Sequence, residues 1–189
     1  DAMRLAILAS GSGSNAEKIM EHFGHSSKGV IALVASNKAD AGVLARAEKF
    51  GVPTFTFTRK EMDAGVLLAK LQAEQIDWVI LAGYMRVVKK PLLEAYPDRI
   101  LNIHPSLLPA FKGLVAWKQA LAAGVPEAGC TVHLVNEGVD EGEILGQRSV
   151  PVERGDTSES LHARIQKAEH LLFPEVLVKL SKNNLRINS

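Results

Sequence analysis

The stretch RLAILASGSGSN, residues 4–15, decides the fold because it joins an apolar run directly to a glycine-serine loop. The run is apolar at consecutive positions, which is typical of a strand in a parallel sheet that is covered on both faces. A helical pattern follows the loop at residues 15–23. The chain is therefore predicted to begin with a β-loop-α unit.

The same alternation continues along the chain. Further apolar runs predict strands at residues 30–36, 53–58, 78–82 and 100–103, and helical patterns occur at residues 42–50, 61–75 and 115–123. In the helix predicted at 61–75, one apolar face is marked by Met62, Val66, Ala69 and Ala73. Alternating strands and helices predict an α/β fold with a doubly wound, mostly parallel sheet and helices on both faces.

The C-terminal half adds an antiparallel element and a long helix. A hairpin is predicted from two strand-like runs, at residues 130–135 and 144–152, and from the polar connection between them at residues 136–143. The last helix is expected to begin near Thr157, because Asp156 and Glu159 match a capping box, and Pro174 is a candidate kink. No repeat or linker divides the chain, so a single domain over residues 1–189 is predicted.

Composition excludes several classes of protein. The 189 residues are 47% hydrophobic and carry a formal net charge of +1, which argues against binding nucleic acid by neutralising phosphates. No apolar run approaches the ~20 residues that span a bilayer. The first two residues, Asp1 and Ala2, precede Met3 and resemble residues left by expression cloning. The single cysteine, Cys130, fits a reducing, cytoplasmic location. It lies in the apolar run CTVHLV, which favours a buried structural thiol over a nucleophile.

Polar and glycine-rich clusters follow three of the predicted strands. They lie at residues 10–15, 83–86 and 102–106. Ligands of open parallel sheets bind beyond the carboxyl ends of the strands. We therefore expect these clusters to meet in one ligand-binding cleft.

The glycine-serine loop, Gly11 to Asn15, is suited to an anion. Glycines let the backbone approach a ligand closely, and the first N–H groups of the following helix point outward with a positive dipole end. The loop lacks the lysine of a nucleoside-triphosphate loop and the third glycine of a dinucleotide fingerprint, so a phosphate monoester is favoured. The alternative is a plain strand-to-helix turn with Ser14 or Asn15 as the N-cap.

A second cluster, LNIHPSLLP, contains Asn102 and His104. Their alternation with Ile103 puts both polar side chains on one face of an extended chain, where an amide N–H and an imidazole N–H suit an oxyanion. A histidine that is simply hydrogen-bonded in a turn is the alternative. An acidic neighbour would favour the cationic imidazole, and the candidates are Glu137, Asp140, Glu141 and Glu143. Asp140 is preferred because its turn, VDEG, is flexible enough to reach the cleft.

These motifs together resemble the phosphoribosylglycinamide formyltransferase family. The resemblance covers residues 3 to about 180 and rests on six motifs in the family's order, namely GSGSN at 11–15, SNKADAG at 36–42, LAGYMR at 81–86, LNIHPSLLPAFKG at 101–113, VDEG at 139–142 and IQKAEH at 165–170. It implies that the amine of glycinamide ribonucleotide attacks the formyl group of 10-formyltetrahydrofolate directly, without a metal. Small molecules are then the partners, with neither nucleic acid nor membrane, and the protein is expected as a monomer or homodimer.

The resemblance also implies roles for individual residues. Asn102, His104 and Asp140 match the family's catalytic residues. The phosphate and ribose of the ribonucleotide correspond to Gly11, Ser12, Gly13, Ser14, Asn15, Gln166 and Glu169, and the folate corresponds to Met85, Arg86, Val88, Val139 and Asp140. The chain departs from the family at Val115 and Trp117, since members commonly carry one or two histidines in this segment.

Three alternatives share parts of this pattern. A methionyl-tRNA formyltransferase resembles the HPSLLP stretch but normally has a further C-terminal domain and a basic surface. A formyltetrahydrofolate hydrolase normally has an N-terminal regulatory domain and gives the phosphate loop no purpose. A catalytically silent folate- or nucleotide-binding module would not need Asn102, His104 and Asp140.

Overall fold

The computed structural model describes residues 2–23 and 28–182, so Asp1 lies outside the described residues. Strands and helices alternate as far as the last two strands. In chain order the elements are β1 (Met3–Leu8), α1 (Ser14–Phe23), β2 (Gly29–Ser36), α2 (Gly42–Lys49), β3 (Thr54–Thr56), α3 (Arg59–Asp63), α4 (Val66–Ala73), β4 (Trp78–Leu81), α5 (Lys90–Ala95), β5 (Ile100–His104), α6 (Ala116–Ala123), β6 (Glu127–Leu134), β7 (Ile144–Pro151) and α7 (Ser158–Lys182).

The seven strands form one sheet in the order β3-β2-β1-β4-β5-β6-β7. Strands β1 to β5 are parallel, whereas β6 is antiparallel to both β5 and β7. The predicted α/β fold class is therefore confirmed, including the antiparallel strands in the C-terminal half. Strands β2 and β3 lie on one side of β1, and β4 to β7 lie on the other. The strand order therefore reverses between β1 and β4, which is where sheets of this kind bind ligands.

Alternate residues of each central strand face two separate apolar layers. In β1, Leu5 and Ile7 pack into a core under α1 and α7, whereas Ala6 and Leu8 pack against α4 and α5. The strand is buried on both faces because helices cover both. In β5 the two faces differ. Leu101 and Ile103 continue the first layer, but Asn102 and His104 lie on the opposite face.

Two local predictions were wrong, and one helix was missed. The helix predicted at 61–75 is two helices, because Gly65 adopts a φ of +82° and separates α3 from α4. Helix α5, which has Pro91 in its first turn, was not predicted. The capping pair of α7 is Thr157 with Ser160, whose hydroxyls and backbone N–H groups bond reciprocally at 3.0 and 3.1 Å.

Two further features of the chain bear on the sequence analysis. Helix α7 continues through Pro174 to Lys182. None of the helices within residues 2–23 and 28–182 is long and apolar enough to cross a membrane.

Candidate active site

The loops that follow β1, β2 and β4 are tied together by one buried serine. Ser10 donates its backbone N–H to the Gly83 carbonyl at 3.1 Å, and its Oγ donates to Asn37 Oδ1 at 2.7 Å. The same Oγ accepts the Met85 N–H at 2.9 Å. The clusters after β1 and β4 therefore meet, as expected, although the role of Ser10 in connecting them was not predicted.

The glycine-serine loop leads directly into α1. Gly13 has a φ of +78°, and a Cβ there would overlap the Val43 side chain, so the position requires glycine. The Gly13 carbonyl accepts the N–H of Glu17 at 2.8 Å, which makes Gly13 the N-cap rather than Ser14 or Asn15. Gly11 and Ser12 are exposed. The first N–H groups of α1, which have no acceptor inside the helix, follow this exposed turn.

One buried carboxyl faces the start of α1. Glu169 of α7 is 7% exposed, and its Oε1 accepts the Asn15 Nδ2–H at 3.1 Å. Burial raises the pKa of Glu169 to about 7, against the opposing effect of this hydrogen bond. Gln166 lies half-buried one turn earlier, on the same side of the helix. With a pKa of about 7 the carboxyl is largely protonated below neutral pH, and its repulsion of an anion at the start of α1 is then removed.

Asn102 and His133 face each other across the β5–β6 pair. They are register partners, and Asn102 Nδ2 lies 3.3 Å from His133 Nε2. The other ring nitrogen, Nδ1, donates to the Leu134 carbonyl at 3.0 Å. Burial lowers the pKa of His133, against the raising effects of the Leu134 carbonyl and the Asp140 carboxylate. A neutral ring with Nδ1 protonated accepts the Asn102 amide N–H, which fixes the orientation of that amide.

His104 is held between a carbonyl and a carboxylate. The ring is 5% exposed, and its Nε2 donates to the Phe111 carbonyl at 2.9 Å. Its Nδ1 lies 3.5 Å from Asp140 Oδ2, and the same oxygen accepts the Gly113 N–H at 2.9 Å. Both ring nitrogens therefore face oxygen atoms that can accept a hydrogen bond. Asp140 also lies near His133, at 3.9 Å between Oδ1 and Nε2.

The loop after His104 is fixed by side chains from the hairpin. Thr131 Oγ1 accepts the Leu108 N–H at 3.0 Å and donates to the Ser106 carbonyl at 2.7 Å. Gln147 Nε2 donates to the Leu108 carbonyl at 2.8 Å. These bonds hold the loop over the polar face of β5.

Several exposed apolar side chains lie on the loops at this edge of the sheet. Met85, Val87, Leu114, Val115 and Val139 are among the most exposed large hydrophobic residues of the described chain. They lie on the loops after β4, β5 and β6, and Arg86 beside them is also exposed. Val88 is half-buried against the α4–α5 layer. Exposed apolar residues concentrated on neighbouring loops indicate a surface that binds a ligand or a partner.

Three residues of these loops have backbone conformations that are rare outside glycine. Phe111, Val115 and Asp140 have φ values of +53°, +46° and +53°. The conformation is most unfavourable for Val115, which is β-branched. Such strain is concentrated at functional sites, where the surrounding structure maintains it.

Two further groups bear on the chemistry. Cys130 is buried, as predicted, and burial raises the pKa of its thiol to about 12, so it is not a reactive thiolate. Within the described residues, no three His, Cys, Asp or Glu side chains are grouped to hold a metal ion.

The fold and the site define an α/β protein that combines a glycine-serine loop at the start of a helix, a buried histidine beside a carboxylate, and exposed apolar side chains on neighbouring loops. The chain belongs to the formyl transferase family, whose model matches residues 3–177.

Several relatives match nearly the whole chain. It is 40% identical over 189 residues to the phosphoribosylglycinamide formyltransferase of Bacillus subtilis strain 168, with 97% of each chain covered. It is 42% identical over 191 residues to the human trifunctional purine biosynthetic protein adenosine-3, covering 97% of this chain and 19% of that protein. The chain thus spans about a fifth of the length of this human relative, and 14% of the Drosophila melanogaster protein of the same name.

Solved structures agree with these relatives. The phosphoribosylglycinamide formyltransferase from Anaplasma phagocytophilum superposes with a TM-score of 0.92 at 43% identity, covering 97% of this chain and 89% of that one. Glycinamide ribonucleotide transformylase 1 from Symbiobacterium toebii gives a TM-score of 0.91 at 47% identity, with coverages of 96% and 89%.

Proposed function

We propose that this protein transfers the formyl group of 10-formyltetrahydrofolate to the amine of glycinamide ribonucleotide, a step of purine biosynthesis. The observation that carries the proposal is the buried His104 ring with the Asp140 carboxylate 3.5 Å from its Nδ1, next to loops that carry exposed apolar side chains. The full-length likeness to the Bacillus subtilis formyltransferase supports the same reaction.

The ribonucleotide is assigned to the start of α1. Its phosphate binds the backbone of Gly11, Ser12, Gly13, Ser14 and Asn15, where free N–H groups and the helix dipole favour an anion. Glu169 and Gln166 contact the ribose hydroxyls. A carboxyl whose pKa is raised to about 7 can exchange hydrogen bonds with hydroxyls, and its protonated form does not repel the adjacent phosphate.

The folate is assigned to the loops after β4 and β6. Met85, Val88 and Val139 provide the apolar surface for its flat ring, and Arg86 and the Val88 backbone supply hydrogen bonds. Asp140 lies between this surface and His104. This arrangement brings the formyl carbon to the polar centre, where the acceptor amine arrives from the phosphate loop.

The chemistry needs no enzyme nucleophile, because the neutral amine attacks the formyl carbon directly. Negative charge develops on the formyl oxygen and is stabilised by Asn102 and by His104. The His104 Nε2–H is bonded to the Phe111 carbonyl at 2.9 Å in the free protein, so we infer that the formyl oxygen replaces this carbonyl. Asp140 favours the cationic imidazole and helps to move a proton from the amine to the folate nitrogen as the C–N bond breaks.

The remaining parts of the proposal follow the sequence analysis. We expect no metal and no macromolecular substrate. A cytoplasmic location, a single formyltransferase domain over residues 1–189 and a monomeric or homodimeric state belong to the same hypothesis.

One assay tests the reaction and its alternatives. The protein is incubated with 10-formyltetrahydrofolate alone, with added glycinamide ribonucleotide, or with glycinamide, which lacks the ribose phosphate. Release of tetrahydrofolate that needs the ribonucleotide supports the transferase, and glycinamide should be a poor acceptor. Release without any acceptor would instead identify a hydrolase, and no release in any mixture would identify a silent binding module.

A further inference from the structure

Helix α6 contacts the loop in front of it through one amide. Gln119 Nε2 donates to the Lys112 carbonyl at 3.2 Å and to the Leu114 carbonyl at 2.9 Å. Both N–H groups of the amide are used in these two bonds. Gly113, between the two carbonyls, has a φ of +87°. Gln119 therefore fixes the backbone on both sides of this glycine.

The same stretch of backbone holds the proposed catalytic carboxylate. The Lys112 carbonyl and the Gly113 N–H belong to one planar trans peptide, and they point in opposite directions. Gln119 binds the carbonyl end, and the N–H end donates to Asp140 Oδ2 at 2.9 Å. That oxygen is also the one that faces His104 Nδ1 at 3.5 Å. A single rigid peptide thus connects α6 to the carboxylate beside His104.

Helix α6 is itself anchored by packing rather than by a cap. Its N-cap residue, Val115, provides no side-chain hydrogen bond. Trp117, in the first turn, stacks face to face on His162 of α7, with the ring centroids 3.8 Å apart and the rings parallel. Ala116 and Ala120 are buried beside it. The stack with α7 gives Gln119 a fixed base from which to hold the loop.

We propose that Gln119 is a positioning residue, which keeps the Lys112–Gly113 peptide oriented so that Asp140 faces His104. This role rests on the function proposed above. Without the Gln119 amide, the peptide can rotate, the Gly113 N–H leaves Asp140 Oδ2, and the carboxylate loses its fixed direction. The damage falls on the chemical step, because Gln119 belongs to neither of the assigned substrate sites.

The test is Gln119→Glu, which keeps the shape of the side chain and replaces two donors by oxygens that repel both carbonyls. We expect kcat to fall about tenfold or more, since small misplacements of catalytic groups have large effects on rate. The KM for the ribonucleotide should change by less than about twofold, and the acidic limb of the pH–rate profile should move. In an Asp140→Asn background the same substitution should have little further effect. The matched control is Lys118→Ala, an exposed neighbour on the same helix.

A second measurement does not depend on activity. Hydrogen exchange of the Gly113 amide should be faster in Gln119→Glu than in the wild type and unchanged in Lys118→Ala. If the charged variant does not fold, Gln119→Met removes both donors without adding charge and carries the same expectations.

The outcomes separate the two hypotheses. An active wild type with a Gln119→Glu variant of unchanged kcat and pH profile overturns the positioning role and leaves the formyl transfer intact. A lowered unfolding temperature with normal kcat overturns it equally, since it identifies a merely structural contact. An inactive wild type refutes the proposed function, and the Gly113 exchange then still decides whether Gln119 orders the peptide.

Discussion

Replacing Glu169 by glutamine should make the stability of the protein less dependent on pH. Glu169 is 7% exposed, and its carboxyl accepts the Asn15 amide N–H. Glutamine has the shape of the neutral acid and an oxygen that can accept the same hydrogen bond. The substitution therefore preserves the packing and removes only the ionisation of a buried group.

The magnitude follows from the pKa of Glu169, which burial raises from 4.5 to about 7. The folded state binds this proton more tightly than the unfolded chain, so the carboxyl favours folding below pH 4.5 and this contribution is lost as the pH rises to 7. In total, the contribution of the carboxyl to the free energy of unfolding falls by about 3 kcal/mol as the pH rises. Part of this loss already occurs below pH 5, so roughly 2–3 kcal/mol is lost between pH 5 and pH 8.

The assay is urea unfolding of the wild type and of Glu169→Gln at pH 5, 6, 7 and 8. The difference between the two unfolding free energies should grow by about 2–3 kcal/mol over this interval in favour of the variant. Taking the difference cancels the titration of the histidines. Glu175→Gln, the same chemical change at an exposed position of α7, controls for the lost charge. A difference that stays constant with pH would show that Glu169 is ionised in the fold, and would refute the reasoning.

Three further substitutions test the site and its anchor. His104→Ala should lower kcat by ~10² or more while calorimetry shows unchanged ribonucleotide binding, because the donor acts in the transition state; near-normal turnover would contradict the role of His104. Asp140→Asn should displace the acidic limb of the pH–rate profile, and an unchanged profile would refute the coupling of Asp140 to His104. Trp117→Ala should lower the unfolding free energy by about 1–2 kcal/mol through loss of the stacked pair. In urea unfolding its effect should be less than additive with that of His162→Ala, and strictly additive losses would count against the stack.

The sheet could be predicted because its strands are buried on both faces. The apolar runs that become β1, β2 and β4 show no alternation of apolar and polar residues, so they indicate parallel strands that are covered on both faces. The break between α3 and α4 could not be predicted in the same way. The helical spacing of Met62, Val66 and Ala69 continues across Gly65, and only the left-handed backbone at that glycine ends the first helix. Helix α5 is too short for its periodicity to show.

The candidate site was predictable where chemistry resides in side chains at a strand end. Asn102 and His104 stand out because they alternate with an apolar residue, and Asp140 because its turn is acidic and flexible. His133 did not stand out, since CTVHLV reads as an apolar strand. Its contact with Asn102 depends on the antiparallel register of β5 and β6. The Phe111 carbonyl is a backbone group, which carries no signal in the sequence.

The position of the site follows from where the second apolar layer stops. On the face of the sheet that α4 and α5 cover, apolar packing extends from β1 and β4 as far as Ile100. The next positions on that face are Asn102 and His104 in β5 and Thr131 and His133 in β6, all polar. Because side chains alternate, the same strands still supply apolar residues to the opposite layer. The sheet thus keeps its core on one face while the other, beyond the reach of α4 and α5, is covered by loops. Loops are where binding residues are usually placed, and they are less firmly packed than a helix that covers the core.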